Sequence, residues 1–210
     1  MQLLGRLEIK SKERIIKFLN EQDTGRICSI DKDGYPQIIP MNFVYANDVI
    51  YVHSHTKGEK IENIKRNSKV GFEVDKSLEF LPSYFTDPAD ASQADTLYIS
   101  VVIKGTAVLV SDRNEKTLAL NALMKKYQPE GRYENMRPDM SVVDEVAIIK
   151  VAPITMRGKY KIGQHWDKKT RLDLAQKILE RNTPSAQSTL EIMGIRQTKN
   201  GLEIVEDPLW

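Results

Sequence analysis

The sequence predicts a mainly β protein with flanking helices, and it favours an antiparallel meander or barrel over a doubly wound parallel sheet. Three strands follow one another through tight turns before residue 56, which is typical of sequential antiparallel pairing. A longer strand, Leu97–Ser111, carries Gly105 near its middle, as strands do where a barrel turns a corner. The sequence contains no dinucleotide, phosphate-loop, hydrolase-elbow or zinc-protease motif, so those enzyme classes are excluded.

Composition narrows the class of protein further. A chain of 210 residues with 40% hydrophobic residues can bury one good core, with or without an appendage. A net charge of +2 gives no sign of a nucleic-acid or membrane-surface partner. The one cysteine, Cys28, excludes an internal disulfide, and we expect it to be a small buried residue. Without a long apolar segment, the sequence predicts a soluble, cytoplasmic protein.

The amino-terminal elements are a helix and a hairpin. Apolar residues recur on one side of Ser11–Gln22, which predicts an amphipathic helix. Thr24–Ile30 is predicted as a strand, and a turn rich in Asp and Gly joins it to a second strand, Tyr35–Tyr45. Pro36 and Pro40 cannot donate to a ladder, so this second strand is expected at an edge or a bulge.

The most informative stretch is Ile50–Val74, which predicts a strand, a short helix and another strand. Thr56 and Glu59 have the spacing of a capping box, so the helix is expected to begin there and to run to about Asn67. The start of a helix presents unpaired N–H groups and favours anions, and Lys60 adds a cation in the first turn.

This stretch predicts a pocket for a phosphate-bearing ligand at the end of the strand. The residues expected to converge there are His53, Ser54, His55, Thr56 and Lys60. The same pattern supports equally a capped surface helix whose lysines face the solvent. His53 and His55 alternate along the strand and could share a metal, but no third ligand is evident, so no metal site is predicted.

Two further segments follow before the last third of the chain. Lys76–Ala94 has no clear period and is predicted as a long loop, the kind that often serves as a lid or an interface. Asp112 and Glu115 have capping-box spacing and open a helix through Tyr127. Its predicted buried residues are Leu118, Leu120, Leu123 and Met124.

The last third of the chain changes character. A strand is predicted over Val142–Val151, with an interruption at Pro153, and a helix over Lys169–Arg181. Two short strands are then predicted to form a hairpin: Leu190–Ile195 and Leu202–Val205. We therefore divide the chain into a domain, residues 1–166, and an appendage of a helix and a hairpin, residues 167–210.

Four short motifs occur in a recognisable order. They are P-x-N-F from Pro40, H-S-x-x-x-G-x-K from His53, N-x-K-V from Asn67 and S-V-x-x-x-G from Ser100. Over about residues 12–162 the chain resembles the pyridoxamine 5'-phosphate oxidase-like flavin-binding split-barrel superfamily. Within it, the chain is similar to the nitroimidazole-reductase-type flavin-nucleotide-binding proteins.

The resemblance implies a six-stranded antiparallel split β-barrel, a homodimer, and FMN held between the two subunits. It implies that Lys60 binds the phosphate and that His53 lies beside the flavin. The cofactor-binding residues implied are Pro40, Met41, Asn42, His53, Ser54, His55, Thr56, Lys60 and Ser100. Glu59 stands where oxidases of the superfamily commonly carry Arg, which argues against vitamin B6 oxidation.

Three functions are compatible with this sequence. The first is an FMN-dependent oxidoreductase acting on a small, nitroaromatic or quinone-like substrate, with His53 as the proton donor. The second is a flavin-binding carrier or sensor without turnover. The third is a haem-binding split barrel with His165 as a ligand.

Overall fold

The long strands of this protein extend through two structural units. The computed structural model describes residues 5–205. The first unit, called the barrel unit, comprises Lys12–Val74 and Val101–Arg157. The second, called the carboxy-terminal unit, comprises the described residues before Lys12, Asp75–Ser100, and the described residues from Gly158 onward.

One sheet contains eight of the strands in the described chain. They are β1 (Glu8–Ile9), β2 (Thr24–Ile30), β3 (Pro36–Asn42), β4 (Val44–Ala46), β5 (Val49–His55), β6 (Lys69–Leu81), β7 (Asp95–Leu109) and β8 (Val146–Lys161). The order is β3, β2, β6, β7, β8, β5, β4, and β1 pairs with β8. A separate hairpin consists of β9 (Ile195–Thr198) and β10 (Gly201–Ile204).

Six α-helices lie within residues 5–205. They are α1 (Lys12–Glu21), α2 (Glu59–Arg66), α3 (Arg113–Tyr127), α4 (Val142–Glu145), α5 (Lys168–Arg181) and α6 (Ala186–Ile192). In the barrel unit, α3 packs with its buried Leu120 and Leu123 against Val44, Tyr51 and Ile148 of the strands.

The two ends of the sheet are joined by one residue. β3 lies at one end of the strand order and β4 at the other, yet only Phe43 separates them in sequence. A sheet whose first and last strands are neighbours in the chain must curl round on itself, as a barrel does. The predicted fold class, a mainly β split barrel with helices, is therefore confirmed, with eight strands in this sheet where six were expected.

Phe43 is tightly packed at this junction. Its side chain is fully buried, and its ring meets the Phe72 ring edge to face at 5.2 Å between centroids. The Tyr127 hydroxyl accepts a hydrogen bond from the Phe43 N–H at 2.8 Å and donates to the Asp23 carbonyl at 2.6 Å. The ammonium group of Lys126 lies 3.7 Å from the centre of the Phe43 ring.

The first hairpin confirms the predicted boundaries of its first strand. β2 covers the predicted residues, and β3 is an edge strand, as its two prolines required. Pro36 pairs with Ile30 and Pro40 with Arg26. The predicted second strand nevertheless divides at Phe43, because the residues after it leave β2 and pair with β5 instead.

The long loop predicted over Lys76–Ala94 is wrong in its first part. β6 continues to Leu81, and Pro82 follows its end. Leu78 and Leu81 are each only 4% exposed, so burial holds this segment as a strand although its apolar residues do not alternate regularly. The remaining residues form a connection with two short 3₁₀ turns, Ser83–Phe85 and Ala91–Gln93.

Gly105 and Pro153 have explanations in the contact between β7 and β8. A Cβ atom on Gly105 would lie 2.5 Å from the Ala152 carbonyl oxygen, so glycine permits the close approach of the two strands. The interruption predicted at Pro153 is wrong, because β8 runs through it. β5 pairs with β8 only up to Val151, so the missing N–H of the proline breaks no bond of that ladder.

Helix α3 confirms one half of its predicted capping box. The Asp112 carboxylate accepts from the N–H groups of Asn114 and Glu115, at 3.2 and 3.3 Å. The Glu115 side chain instead accepts from the Tyr51 hydroxyl and the Lys150 ammonium, each at 2.7 Å. Leu118 was predicted to be buried and is 43% exposed.

The carboxy-terminal elements follow the prediction in part. α5 is confirmed, and its cap Asp167 accepts from the Thr170 N–H at 3.0 Å. The strand predicted from Val142 begins at Val146, after the short helix α4. The predicted strand from Leu190 is helical to Ile192, and the hairpin starts at Ile195. Residues 206–210 of the predicted appendage lie outside the described residues, and the boundary at residue 166 stays a prediction.

Candidate functional site

The candidate site lies where β5 ends and α2 begins, within the barrel unit. Along the end of β5, His53 and His55 are exposed while Ser54 is only 6% exposed. The two histidines therefore share one face, as their alternation predicted, and the Ser54 side chain points to the other face. The Ser54 hydroxyl is buried with no hydrogen-bond partner among the described protein atoms.

The predicted capping box at the start of α2 is wrong. The helix begins at Glu59, its N-cap is Gly58, and no side chain caps it. Gly58 has φ +134°, a conformation that only glycine adopts readily, so the helix begins after Gly58 and not at Thr56. No atom lies within 4 Å of where a Gly58 Cβ would be, so the backbone here is open to a ligand.

Lys60 is the second residue of α2 and is half-buried. The first N–H groups of a helix have no carbonyl partner within that helix, so they point outward from its end. Together with the Lys60 ammonium, they form a donor set of the kind that phosphate groups require. The helix ends at Arg66, with Asn67, the predicted end, as its C-cap.

A negative charge also belongs to this site. The Gln37 amide on β3 donates to the Glu59 carboxylate, and its carbonyl oxygen accepts from the Asn63 amide at 3.2 Å. The Glu59 carboxylate is therefore held at the start of α2 rather than free in solvent. This carboxylate stabilises the helix through the macrodipole but opposes a bound phosphate.

Asn63 anchors the helix that carries the site. It is 1% exposed, and its amide also donates to the Ser29 hydroxyl at 3.3 Å. Its carbonyl oxygen accepts from the Arg66 guanidinium at 2.7 Å, and Arg66 donates in turn to the Ile30 carbonyl. α2 is thus fastened to β2 and β3 by a fully hydrogen-bonded buried amide.

The sequence interpretation did not include Gln37 and Asn63. A signal for Asn63 was present, because it lies between Ile61 and Ile64 on the buried side of α2. An amide on an apolar helix face must find hydrogen-bond partners inside the protein. Gln37 gave no such signal.

The other predicted cofactor residues lie on different strands. Pro40, Met41 and Asn42 are on β3, which contacts β5, and Met41 is half-buried while the other two are exposed. Met41 pairs with Gly25, where a Cβ would lie 2.3 Å from the Phe72 ring. Ser100 is half-buried on β7 and belongs to the carboxy-terminal unit.

The three histidines have different surroundings. The His55 Nδ1 accepts from the Lys57 N–H at 3.1 Å, so a neutral ring carries its proton on Nε2. His165 is exposed, in the carboxy-terminal unit, with its ring 5.1 Å from the Trp166 ring. Burial lowers the pKa of His165, and the charges of Arg6 and Lys161 lower it further.

Two further properties bear on the class of protein. No helix in residues 5–205 is long and apolar enough to cross a membrane. Within the same residues, no three His, Cys, Asp or Glu side chains are grouped as metal ligands.

The fold and the site together define a split-barrel protein whose helix α2 begins beside its edge strand β3. The family model described as pyridoxamine 5'-phosphate oxidase matches residues 11–160, and the chain belongs to that family. None of the curated proteins compared with the sequence matches it.

Solved structures are similar to this chain in fold. A proposed 5-nitroimidazole antibiotic resistance protein from Bacteroides thetaiotaomicron is 27% identical with a TM-score of 0.61, and the match covers 73% of this chain and 86% of that one. A flavocytochrome from Azotobacter vinelandii is 18% identical with a TM-score of 0.66, covering 77% and 72%. A FAD- and haem-binding protein from Mycobacterium smegmatis is 17% identical with a TM-score of 0.62, covering 73% of each chain. The last two likenesses show the fold alone.

Proposed function

We propose that this protein binds FMN and is a flavin-dependent oxidoreductase acting on a small, nitroaromatic or quinone-like substrate. The observation that carries the proposal is the start of α2, where the open backbone of Gly58 and the half-buried Lys60 follow directly on β5. In a chain of this family, that donor set suits the phosphate of a flavin nucleotide.

The chain's own residues have distinct tasks in this proposal. The N–H groups at the start of α2 and the Lys60 ammonium hold the phosphate, while Pro40, Met41 and Asn42 bring strand backbone to the ring, and Ser100 adds a polar contact. His53 is exposed and its imidazole can donate or accept a proton near neutral pH, so it is the candidate proton donor. Bound flavin would supply hydride or electron transfer.

The comparisons agree with a flavin protein of this kind. The 27% identical neighbour is described as a 5-nitroimidazole antibiotic resistance protein, which favours a nitroaromatic substrate. Haem, with the exposed His165 as its ligand, is the alternative that the visible spectrum tests.

The assembly and location belong to the same proposal. We propose a homodimer with FMN between its subunits, in the cytoplasm, without nucleic-acid or membrane partners. The lone Cys28 suits a reducing compartment, and the net charge of +2 offers no basis for binding a polyanion.

Replacing the phosphate-binding cation tests the proposed site. Lys60→Ala should weaken FMN binding about tenfold or more, since a charge-assisted contact to a phosphate contributes about 1.5–3 kcal/mol. Riboflavin, which lacks the phosphate, should bind both proteins equally. The measurement is a fluorescence titration with each flavin, and Lys65→Ala, at the other end of α2, is the matched control. Equal FMN affinity in Lys60→Ala would show that Lys60 is a surface lysine.

Turnover separates an enzyme from a carrier. The holoprotein should reduce and reoxidise its flavin when given reduced nicotinamide and a panel of nitroaromatics and quinones. Bound flavin that is never reduced at a useful rate would leave the carrier or sensor function instead. The visible spectrum of the purified protein distinguishes both from a haem protein, because a sharp Soret band would contradict the flavin proposal.

A further inference from the structure

The carboxy-terminal unit contains a cavity of about 520 Å³ that the proposed flavin site does not use. This volume lies in the range of small-molecule sites, about 300–1,000 Å³. The wall on one side comes from the residues that follow β6, and the wall on the other from α5 and the turn before it. The lining includes Leu81, Phe85, Gln93, Trp166, Leu174 and Lys177.

One face of α5 forms a wall of the cavity. Thr170, Asp173, Leu174 and Lys177 line it at the spacing of successive helical turns. Lys177 joins the two walls, because its ammonium donates to the Phe85 carbonyl at 2.5 Å and pairs with Asp173 at 2.8 Å.

The aromatic side of the cavity is fixed before any ligand arrives. The Trp166 indole lies against Gly163, where a Cβ would be 2.6 Å from the ring. Gly163 also has φ +75°, and its carbonyl accepts from the Trp166 N–H at 3.0 Å, so this tight turn requires glycine. A preformed aromatic wall binds a flat ring with little loss of side-chain freedom.

Two polar groups of the lining offer acceptor oxygens to a ligand. The Gln93 amide N–H donates to Asp90 at 2.8 Å, which leaves its carbonyl oxygen to accept from a ligand. The Thr170 hydroxyl donates to Asp167 at 2.7 Å, so its oxygen also remains an acceptor. A ligand with N–H donors at one edge can therefore bond to both oxygens.

The charged side chains of the cavity lining, Asp95, Asp173 and Lys177, sum to one negative charge, and each of them is paired. Asp173 is paired with Lys177, and Asp95, which also lines the cavity, is paired with Lys161. A neutral ligand therefore suits it better than an ion, because a charged molecule would enter without an unpaired partner.

We propose that this cavity binds a neutral, planar aromatic molecule with N–H donors at one edge, such as an aromatic carboxamide. The aromatic ring of the ligand lies against Trp166 and Phe85. The N–H donors at its edge bond to the acceptor oxygens of Gln93 and Thr170. The proposal does not depend on flavin binding elsewhere in the chain.

The test uses 4-nitrobenzamide, whose nitro group quenches indole fluorescence on contact. Trp166 and Trp210 are the two tryptophans of the sequence, so a Trp210→Phe background isolates Trp166. We expect saturable quenching, and at least tenfold weaker binding in Ala94→Phe, which fills the cavity from an exposed lining position. Ala91→Phe, on the 3₁₀ turn that precedes Ala94 but outside the lining, should bind like the parent protein. Methyl 4-nitrobenzoate, which lacks the N–H donors, should bind several-fold more weakly.

Three results would overturn the proposal. Quenching that rises linearly without saturation would show collision in an open crevice. Equal affinity in Ala94→Phe would exclude this cavity as the site. Loss of 4-nitrobenzamide binding in calorimetry with saturating riboflavin would assign the cavity to the flavin.

Discussion

Glu59 brings a negative charge next to the proposed phosphate-binding cation Lys60. The carboxylate is held at the start of α2 by Gln37, and Gln37 is held by the buried Asn63. This fixed anion lies one residue from Lys60, so the proposed phosphate site contains opposing charges. The site is therefore expected to favour a flavin phosphate less strongly than one with two cations would.

Neutralising Glu59 should sharpen the preference for a phosphate. In Glu59→Gln we expect the ratio of FMN to riboflavin affinity to rise about three- to tenfold, because an exposed charge pair is worth about 0.2–1 kcal/mol and the helix start adds a similar amount. Glu62→Gln, also in the first turn, should change the ratio less, since Glu62 pairs with Lys65. An unchanged ratio in Glu59→Gln, with FMN still bound, would leave the proposed function intact and remove Glu59 from the site.

Lys126 gives the protein a pH-dependent stability. Burial lowers the pKa of Lys126 from its ordinary value of 10.5 to about 8, and its ammonium donates to the Leu19 carbonyl at 3.2 Å. Because the folded pKa is the lower one, folding is penalised while the lysine is charged. The penalty is complete below pH 8 and disappears as the pH rises through the unfolded value.

Lys126→Met should remove this dependence. A shift of this size corresponds to about 3 kcal/mol, which we reduce to about 1 kcal/mol because the group is partly exposed to solvent. The parent protein should therefore gain about 1 kcal/mol over Lys126→Met between pH 7 and pH 10, measured by denaturant unfolding. Lys125→Met, the exposed neighbour, should follow the parent. Parallel curves for the parent and Lys126→Met would contradict the lowered pKa.

Among the elements, α5 is fastened to β6 by a buried carboxylate. Glu79 is 4% exposed and accepts from the Thr183 and Ser185 hydroxyls at 2.6 and 2.7 Å. The Arg181 guanidinium donates to its other oxygen at 3.2 Å. Each donor lies at or just beyond the end of α5. The Glu79 side chain on β6 therefore fixes the position of the carboxy-terminal end of this helix.

Glu79→Gln should destabilise the carboxy-terminal unit by about 2–3 kcal/mol. The amide brings N–H groups to face two hydroxyls that now donate, and buried groups are left without partners. Unfolding followed by Trp166 fluorescence, in a Trp210→Phe background, reports on this unit. Glu62→Gln breaks only an exposed pair and should cost less than about 1 kcal/mol. A Glu79→Gln protein as stable as the parent would mean that the carboxylate makes no net contribution to the free energy of unfolding.

The sequence predicted an element correctly where local patterns of residues determine its structure. The strand β2, the edge position of β3 and the helix α5 follow from alternation, proline and amphipathic spacing, and these were predicted correctly. β6 was predicted only as far as Val74. Its last residues do not alternate regularly, and burial holds them in the strand. The start of α2 was misplaced because Gly58 adopts a positive φ that the capping-box spacing does not reveal.

For the candidate site, the sequence predicted the helix α2 with Lys60 in its first turn, but not the residue at which the helix begins. Lys60, His53 and His55 are where the motif suggested, whereas the alternation of β5 turns the Ser54 side chain away from the histidines. The link from Asn63 through Gln37 to Glu59 joins residues 37 and 63, and a pairing across strands cannot be read from local spacing.

At the scale of the whole molecule, the chain consists of two units that share its long strands. β6, β7 and β8 each begin in one unit and end in the other. The candidate flavin residues, apart from Ser100, belong to the barrel unit, while the proposed aromatic cavity belongs entirely to the carboxy-terminal unit. The two proposed sites can therefore be altered independently by substitution.

The single residue that joins β3 to β4 limits which changes of length the fold can accept. An insertion beside Phe43 would separate strands at the two ends of the sheet and move a fully buried ring out of its contacts. The exposed turn at residues 32–34 carries no such constraint, because loop tips absorb extra residues at little cost. Over evolution, the chain is thus free to change length at the turn of its first hairpin. At Phe43, where the barrel closes, it can change only the identity of the side chain.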